Sequence, residues 1–368
     1  MAIPARQLAL LKEQIGVSRV ARVTGLDRAR GLEVACAVRP GGHVLQVSNG
    51  KGETWEEAEA GAVLEAAELW ASETVEPATL VWGCARQLRS RFPGAEVWGA
   101  DGVGSAGAAL PGWNDGVRVA WRRGEELASG RDVWVPAQAL HCPPAGSPAL
   151  GPAVVRWTTN GMGAHPDRPS ALRHALLEAA ERDQLARALP DGWTTAAVVE
   201  RMLSPRSLER AAPRTWARAA ALAKDFEVYL FDLTPRPGLG LALAGALLFD
   251  RWKGPVPLTA GYACGTDADG ALLGALLEAA QSRLTDIHGA RDDVVHAPGP
   301  EIQALEALCG SVGGSNDAGD MPRMGLRRQI REIVRAVGCA AAFDLAPAGL
   351  QASVIKVVVP GMLVSELL

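Results

Sequence analysis

Three pairs of polar residues in one repeated frame carry the chemistry this sequence can offer. VLEAAELW (63–70), LLEAAERDQL (176–185) and LLEAAQSRL (276–284) repeat a Leu-Glu-Ala-Ala frame, with a second oxygen-bearing group three residues after the first acid. The pairs are Glu65/Glu68, Glu178/Glu181 and Glu278/Gln281. On a helix, residues i and i+3 share one face about a turn apart, so each frame would present its two groups side by side. One such pair is ordinary on a solvated helix. Three pairs flanked by Leu and Ala place carboxylates at the margin of an apolar stripe, where they repel one another and need cations. Cations are interspersed: Lys51 in SNGKG, Arg182 beside Glu181, Arg283 after Gln281, and Arg291 in GARDD. Mg2+ takes oxygen ligands and bridges carboxylates to phosphate oxygens, while Lys, Arg and backbone N–H groups neutralise the remaining charge. The pattern therefore points to a divalent-metal nucleotide site. It is not a Walker loop, because SNGKG lacks the G-x-x-x-x-G-K-[ST] spacing.

The elements that must position these groups repeat too. GHVLQVSNGKG (42–52), AVVRWTTNGMG (153–163) and VPLTAGYACG (256–265) each read as a strand closing on a glycine turn, 13, 15 and 13 residues before the first glutamate. Between turn and frame the apolar spacing becomes helical, as at Ala171, Ala175, Leu176 and Leu185. Thr54 with Glu57 forms a capping-box signature, and Asp167 with Pro169 a helix start. A second echo links 229–250 with 341–361, each an apolar strand ending in Asp, a Pro/Gly turn and another apolar strand. Repeats this far apart exclude a short-period solenoid and predict an α/β protein assembled from duplicated units. Residues 84–150, rich in Gly, Pro and Trp, read as a short α/β insertion with long loops. CGSVGGSNDAGDMPRMG (309–325) reads as a mobile loop.

The 368 residues, 48% hydrophobic and 21% charged with net charge −4, describe a globular chain and not a general nucleic-acid binder. No apolar run reaches the ~20 residues that cross a bilayer. Six dispersed cysteines without a C-x-x-C pair predict reduced thiols in a cytoplasmic protein. His165 divides evenly between a turn role and a contact with ligand. His174, four residues before Glu178, shares its helix side. Cys264 in YACGTD suggests a sulfur carrier on first sight, but a small buried residue is the better reading. No residue stands out as general base.

SNGKG…AEAGAVLEAAE, TTNGMGAHPDRPSALRHALLEAAERD and GALLGALLEAAQSRLTDIHGARDD resemble the three signature segments of the YcaO superfamily. GVSRVARVTGLDRARGLEVACAVRP and VVVPGM resemble its stand-alone branch, often encoded beside a TfuA protein. The likeness runs from about residue 15 to 362, so the whole chain is expected to form one catalytic domain around a central nucleotide site. It implies an enzyme that uses ATP and Mg2+ to phosphorylate a backbone amide oxygen of a peptide or protein, which a nucleophile then replaces. A substrate Cys, Ser or Thr gives an azoline; external sulfide gives a thioamide. Carried over by position, Glu65, Glu68, Glu178, Glu181 and Glu278 would face metal, and Lys51, Arg182, Arg283 and Arg291 would hold phosphate. Gln281 would add an amide oxygen to the metal or bond the nucleotide, and Ser48 and Asn160 would touch the nucleotide.

Two departures matter. Leu69 follows Glu68 where many relatives have arginine, and the ending VVVPGMLVSELL lacks the proline-rich tail of azoline-forming members. The second departure puts thioamidation ahead of azoline formation. No leader-binding domain is expected before residue 15, so substrate recognition would fall to this fold's surface or to a partner. The expected partners are a peptide or protein substrate and a TfuA-like protein, with a homodimer left open, and neither nucleic acid nor membrane. A ligase of the ATP-grasp or kinase type would also want acidic metal ligands, but not in three matched frames. A nucleotide-binding scaffold without turnover should have lost acids that are intact here.

Overall fold

The computed structural model describes residues 3–28, 31–103, 109–147, 149–289, 299–324 and 329–364. Helix α1 (Ala5–Ile15) leads into strands β1 (Arg19–Arg22), β2 (Glu33–Val38) and β3 (Val47–Gly52), then helix α2 (Trp55–Glu73). Next come β4 (Leu80–Gly83), α3 (Ala85–Arg91), β5 (Glu96–Val97), β6 (Val119–Glu126) and β7 (Asp132–Pro136). Strand β8 (Met162–His165) feeds α4 (Arg168–Ala188). Three short helices, α5 (Thr195–Arg201), α6 (Pro205–Ala211) and α7 (Pro213–Leu222), precede β9 (Phe226–Asp232), β10 (Ala242–Asp250) and β11 (Leu258–Gly265). Helices α8 (Ala268–His288), α9 (Gly299–Ser311) and α10 (Gln329–Val337) lead to β12 (Ala341–Asp344) and β13 (Ser353–Val358).

The α/β fold expected from the sequence holds, and the duplicated unit occurs three times. Each copy is three antiparallel strands backed by one long helix: β1-β2-β3 with α2, β9-β10-β11 with α8, and β12-β13-β8 with α4. In the α2 and α8 copies the hairpin precedes the strand that feeds the helix. In the α4 copy it arrives from the far end of the chain, with Ser353 opposite His165 and Lys356 opposite Met162.

Local chemistry sets the helices to a common height. Thr54, Asp167 and Asp267 cap α2, α4 and α8 by accepting the N–H of Glu57, Ser170 and Gly270. The first glutamate of each frame stands 11 residues beyond its cap in all three copies. That is about three turns, so the acids sit at matching positions. The box expected at Thr54 is half formed, because the Glu57 carboxylate accepts from the Glu53 N–H instead.

The glycines play a different part from the turns expected of them. SNGKG lies inside β3, and Gly50 lets that strand touch α2 backbone to backbone: an added Cβ would fall 2.1 Å from the Ala58 carbonyl oxygen and 2.2 Å from the Ala62 nitrogen. Gly163 makes the same contact with Ala171 and Ala175, at 2.4 and 2.7 Å, and Gly261 with Ala275 and Ala279, at 2.3 and 2.2 Å. Glycine on the strand and alanines a turn apart on the helix fix each helix over its strand, which aims the glutamates.

Residues 84–150 are part of the main sheet, not an appendage. They supply β5, β6 and β7 to a seven-stranded sheet ordered β5-β7-β6-β12-β13-β8, with β4 on β6. Trp121 is fully buried beneath it and donates to the Gly83 carbonyl. Residues 309–324 are anchored: Cys309, Ala318 and Met321 are buried, and the Asn316 side chain donates to the carbonyls of Glu200 and Met202. Their anchors are small side chains and backbone groups, which a polar composition conceals.

Candidate active site

Strands β3, β8 and β11, which feed the three long helices, each lie at the edge of a sheet. Their outward N–H and C=O groups have no strand partner and must be satisfied otherwise. The second polar residue of each frame does this for the next copy. Glu68 on α2 accepts from the Ala164 N–H of β8 at 2.7 Å, and Glu181 on α4 accepts from the Cys264 N–H of β11 at 2.8 Å. Gln281 on α8 donates to the Asn49 carbonyl of β3 at 3.4 Å and closes the ring. The sequence Glu, Glu, Gln now has a reason. Two of the edge groups are donors, which a carboxylate oxygen accepts; the third is a carbonyl and needs an N–H, which glutamine has and glutamate lacks. Glu65 accepts the Asn49 N–H of its own copy at 2.8 Å.

The first acids, Glu65, Glu178 and Glu278, are one turn away on the same helix sides. Lys51 meets Glu278 at 2.5 Å, while Arg182 approaches Glu178 only to 4.0 Å. These side chains keep some access to solvent, 19% at Glu178 and 30% at Lys51, so they line a recess. The carboxylates crowd one another there. Burial, then the fields of Glu178 and Glu65, push Glu68 well above the usual carboxylate range. Burial raises Glu178 to about 7, partly offset by Arg182 and Lys356, and raises Glu181 to about 8 with help from Glu278. Acids pushed upward by burial and by one another mark a site short of positive charge.

Several sequence expectations move. Arg283 is not at the recess: it is 4% exposed, pairs with Asp27 and with Asp250 at 3.0 Å, donates to the Val256 carbonyl, and stacks 5.0 Å over Phe226. It follows Glu278 by five residues, about 140° around the helix, and so faces the other way. Ser48 is buried on the same strand face as Gly50, the face that α2 covers, whereas alternation gives Lys51 the opposite face. Arg291 lies outside the described residues. His165 bonds Asp167 at 2.7 Å beside the α4 cap, a turn role. His174 is exposed, yet enough protein surrounds it, with Lys51 and Arg173 near, to push it down to about 4. Burial and Glu181 push the Cys264 thiol well above its ordinary value, which does not suit a sulfur carrier.

Lys356 on β13 is the residue that sequence reasoning missed. It is 3% exposed, its Nζ donates to the Thr158 carbonyl, and it lies 5.0 Å over the Trp157 ring. Burial pushes it down to about 7, against the pull of Glu178 and Cys142. The signal was a lone lysine in the apolar run SVIKVVV, a cost that a strand bears only for a reason. With Arg156, Thr158, Asn160, Ala179 and Met362 it lines a small cavity of about 50 Å³.

The sequence model of the YcaO cyclodehydratases, described as ATP- and Mg2+-binding, matches residues 49–363. The chain belongs to the YcaO family. An uncharacterized protein of Methanothermobacter thermautotrophicus is 32% identical over 294 residues, which are 77% of this chain and 69% of that one. An uncharacterized protein in the tfuA 3′ region of Rhizobium leguminosarum bv. trifolii is 29% identical over 300 residues, 79% of this chain and 68% of that one. The structure of a YcaO from Methanopyrus kandleri bound with AMPPCP and Mg2+ has the same fold, with a TM-score of 0.69 at 22% identity, over 98% of this chain and 91% of that one.

The cofactors of the YcaO family, ATP and Mg2+, fit the residues present. Arg182 Nε and the side-chain oxygens of Asn49 and Asn160 are buried without a partner. Among the described residues no three acids, imidazoles or thiols form a finished metal cage. Mg2+ suits that arrangement, since it is usually held by one or two carboxylates, waters and the phosphates of its nucleotide. No helix among the described residues is long and apolar enough to cross a membrane.

Proposed function

We propose that this YcaO chain activates a backbone amide oxygen of a peptide or protein by ATP-dependent phosphorylation, and that sulfide then replaces the oxygen to leave a thioamide. The observation that carries the reading is the meeting of three acid pairs at three sheet edges, beside Arg182 whose buried Nε lacks a partner. ATP with Mg2+ supplies the phosphoryl group that makes the amide oxygen a leaving group. Glu65, Glu178 and Glu278, with the second oxygens of Glu68 and Glu181, hold the metal. Lys51 and Arg182 neutralise phosphate, Arg182 with a planar fork suited to two oxygens. Gln281, its N–H given to Asn49, keeps its carbonyl oxygen for the metal or its waters. Asp183, buried at the next position, holds α4 by accepting from Arg187 and from the Leu363 N–H.

The relative in the tfuA region supports sulfide as nucleophile and a TfuA-like partner that delivers it. The family's description favours the second reading, attack by a substrate Cys, Ser or Thr to close an azoline. Mass spectrometry separates the two. Enzyme, ATP and Mg2+ are incubated with peptides rich in Cys, Ser and Thr, with and without sulfide and a TfuA protein. Exchange of oxygen for sulfur is expected, with heavy oxygen placed in the substrate amide recovered in phosphate. Loss of water without any sulfur source would replace the thioamide reading by the azoline one, and label absent from phosphate would remove both.

A further inference from the structure

The cavity beside Lys356 is not part of the acid ring, and its two spare hydrogen-bonding groups are of opposite kinds. An ammonium has three donors. One bonds the Thr158 carbonyl, and the Trp157 ring covers part of the remaining charge. No ion pair joins Lys356 to Glu178, although each feels the other's field. The same cavity contains Asn160, whose Oδ1 is buried and unpartnered. A spare donor and an orphaned acceptor over one small space are the complement of a secondary amide, which presents one carbonyl oxygen and one N–H. A phosphate has acceptors and no carbon-bound N–H, so it would leave Asn160 Oδ1 unsatisfied, a cost of about 1–3 kcal/mol. A second copy of a lysine–acid pair needs no cavity at all.

We infer that this cavity is the seat of the substrate amide: Lys356 donates to the carbonyl oxygen that is to be activated, and Asn160 accepts the N–H of the same peptide group. The inference rests on the proposed amide activation and deepens it by naming where the amide sits. It moves Asn160 from the nucleotide to the substrate. Lys356 is then a catalytic residue. Once the oxygen is phosphorylated and the nucleophile has bonded to the amide carbon, the C–O bond breaks and its electron pair leaves with the phosphate oxygen; a fixed buried cation facing that oxygen stabilises the charge as it develops. The Thr158 carbonyl and Trp157 keep the ammonium in place without neutralising it, and its stem lies among buried apolar neighbours.

Three variants of the full chain test this. Lys356→Met keeps the stem's volume and removes a buried charge, so it should fold. Lys356→Ala makes room for a small amine, and Asn160→Leu removes the acceptor at similar volume. Binding of AMPPCP with Mg2+ is measured by calorimetry, and peptide-dependent release of ADP by coupled assay. The expected result is unchanged AMPPCP binding in Lys356→Met and Lys356→Ala, with kcat for peptide-dependent turnover down about 100-fold or more. Added ethylammonium should restore part of the turnover of Lys356→Ala and none of Lys356→Met. Asn160→Leu should raise the peptide KM more than it lowers kcat. If the wild-type chain modifies no peptide amide, the proposed function fails and the amide seat fails with it. If the wild type is active and Lys356→Met stays active, or loses AMPPCP binding in step with turnover, the seat is wrong and the function stands. Absence of amine rescue in a folded, AMPPCP-binding Lys356→Ala overturns the catalytic role.

Discussion

Helices α4 and α8 carry the same frame, open with the same aspartate cap and lie over the same kind of edge strand, yet they treat their arginines in opposite ways. Arg182 follows Glu178 by four residues, which returns it to the recess, 4.0 Å from that glutamate. Arg283 follows Glu278 by five, and the extra residue turns it into a buried trio with Asp27 and Asp250. The α8 wall instead receives its positive charge from β3, through Lys51. A repeated frame thus preserves helix placement while a shift of one residue moves a cation from ligand chemistry to structural pairing. Similar motifs predict similar backbones more safely than similar roles.

The strongest way to break this contrast is to exchange what the two arginines lose. Arg283→Met strands two buried aspartates and should cost about 3–5 kcal/mol in urea unfolding, leaving AMPPCP affinity per folded molecule unchanged. Arg182→Met breaks no close ion pair, so it should change the unfolding free energy much less than Arg283→Met does, and weaken AMPPCP binding. The reverse pattern would return Arg283 to the phosphate site.

A smaller effect sharpens the comparison at the second positions. Gln281→Glu sets a carboxylate against the Asn49 carbonyl and should cost about 1–3 kcal/mol. Glu181→Gln still offers an oxygen to the Cys264 N–H and should be nearly silent in thermal unfolding. Equal costs for the two would mean that the ring does not distinguish donors from acceptors.

A further test is one of pH. Glu178 and Glu181 titrate at about 7 and about 8 in the folded chain, above the ~4.3 of an unfolded glutamate. The stability they contribute is fully present below that unfolded value and is lost as pH rises through 7 and 8. The melting temperature of the ligand-free protein should therefore fall between about pH 5 and pH 8.5, and AMPPCP with Mg2+ should flatten the fall by holding the carboxylates ionised. A flat profile without ligand would mean that the α4 wall is no more crowded than the α8 wall.

What could be read from the sequence was local. The helical spacing, the caps at Thr54 and Asp167, and the echo of β9–β10 in β12–β13 all depend on neighbours along the chain. The three repeated frames that carry the acids were found the same way. The misreadings were of long range or of alternation. Arg283 owes its orientation to Asp27, 256 residues away. Ser48 and Gly50 were read as a turn because glycine usually marks one, whereas here it marks a strand pressed against a helix. Residues 84–150 were read as an α/β insertion, but which sheet their strands join depends on β12, far along the chain. Lys356 went unremarked because its partners, Thr158 and Trp157, become neighbours only when β13 reaches β8.

That late pairing has a consequence for the birth of the protein. On the ribosome, β3–α2, β8–α4 and β11–α8 emerge in turn, but the middle copy lacks its hairpin until β12 and β13 have been made. The joint is then secured from the other end: Gln7 and Gln14 of α1 hold the carbonyls of Gln351 and Gly349 in the turn between those strands. Contacts spanning nearly the whole chain are slow to form, and β8 stays an open edge until they do. A nascent or prematurely terminated chain would own most of the acids and none of Lys356. Such a fragment would lack the amide seat proposed above, because β13 is among the last parts to be synthesised.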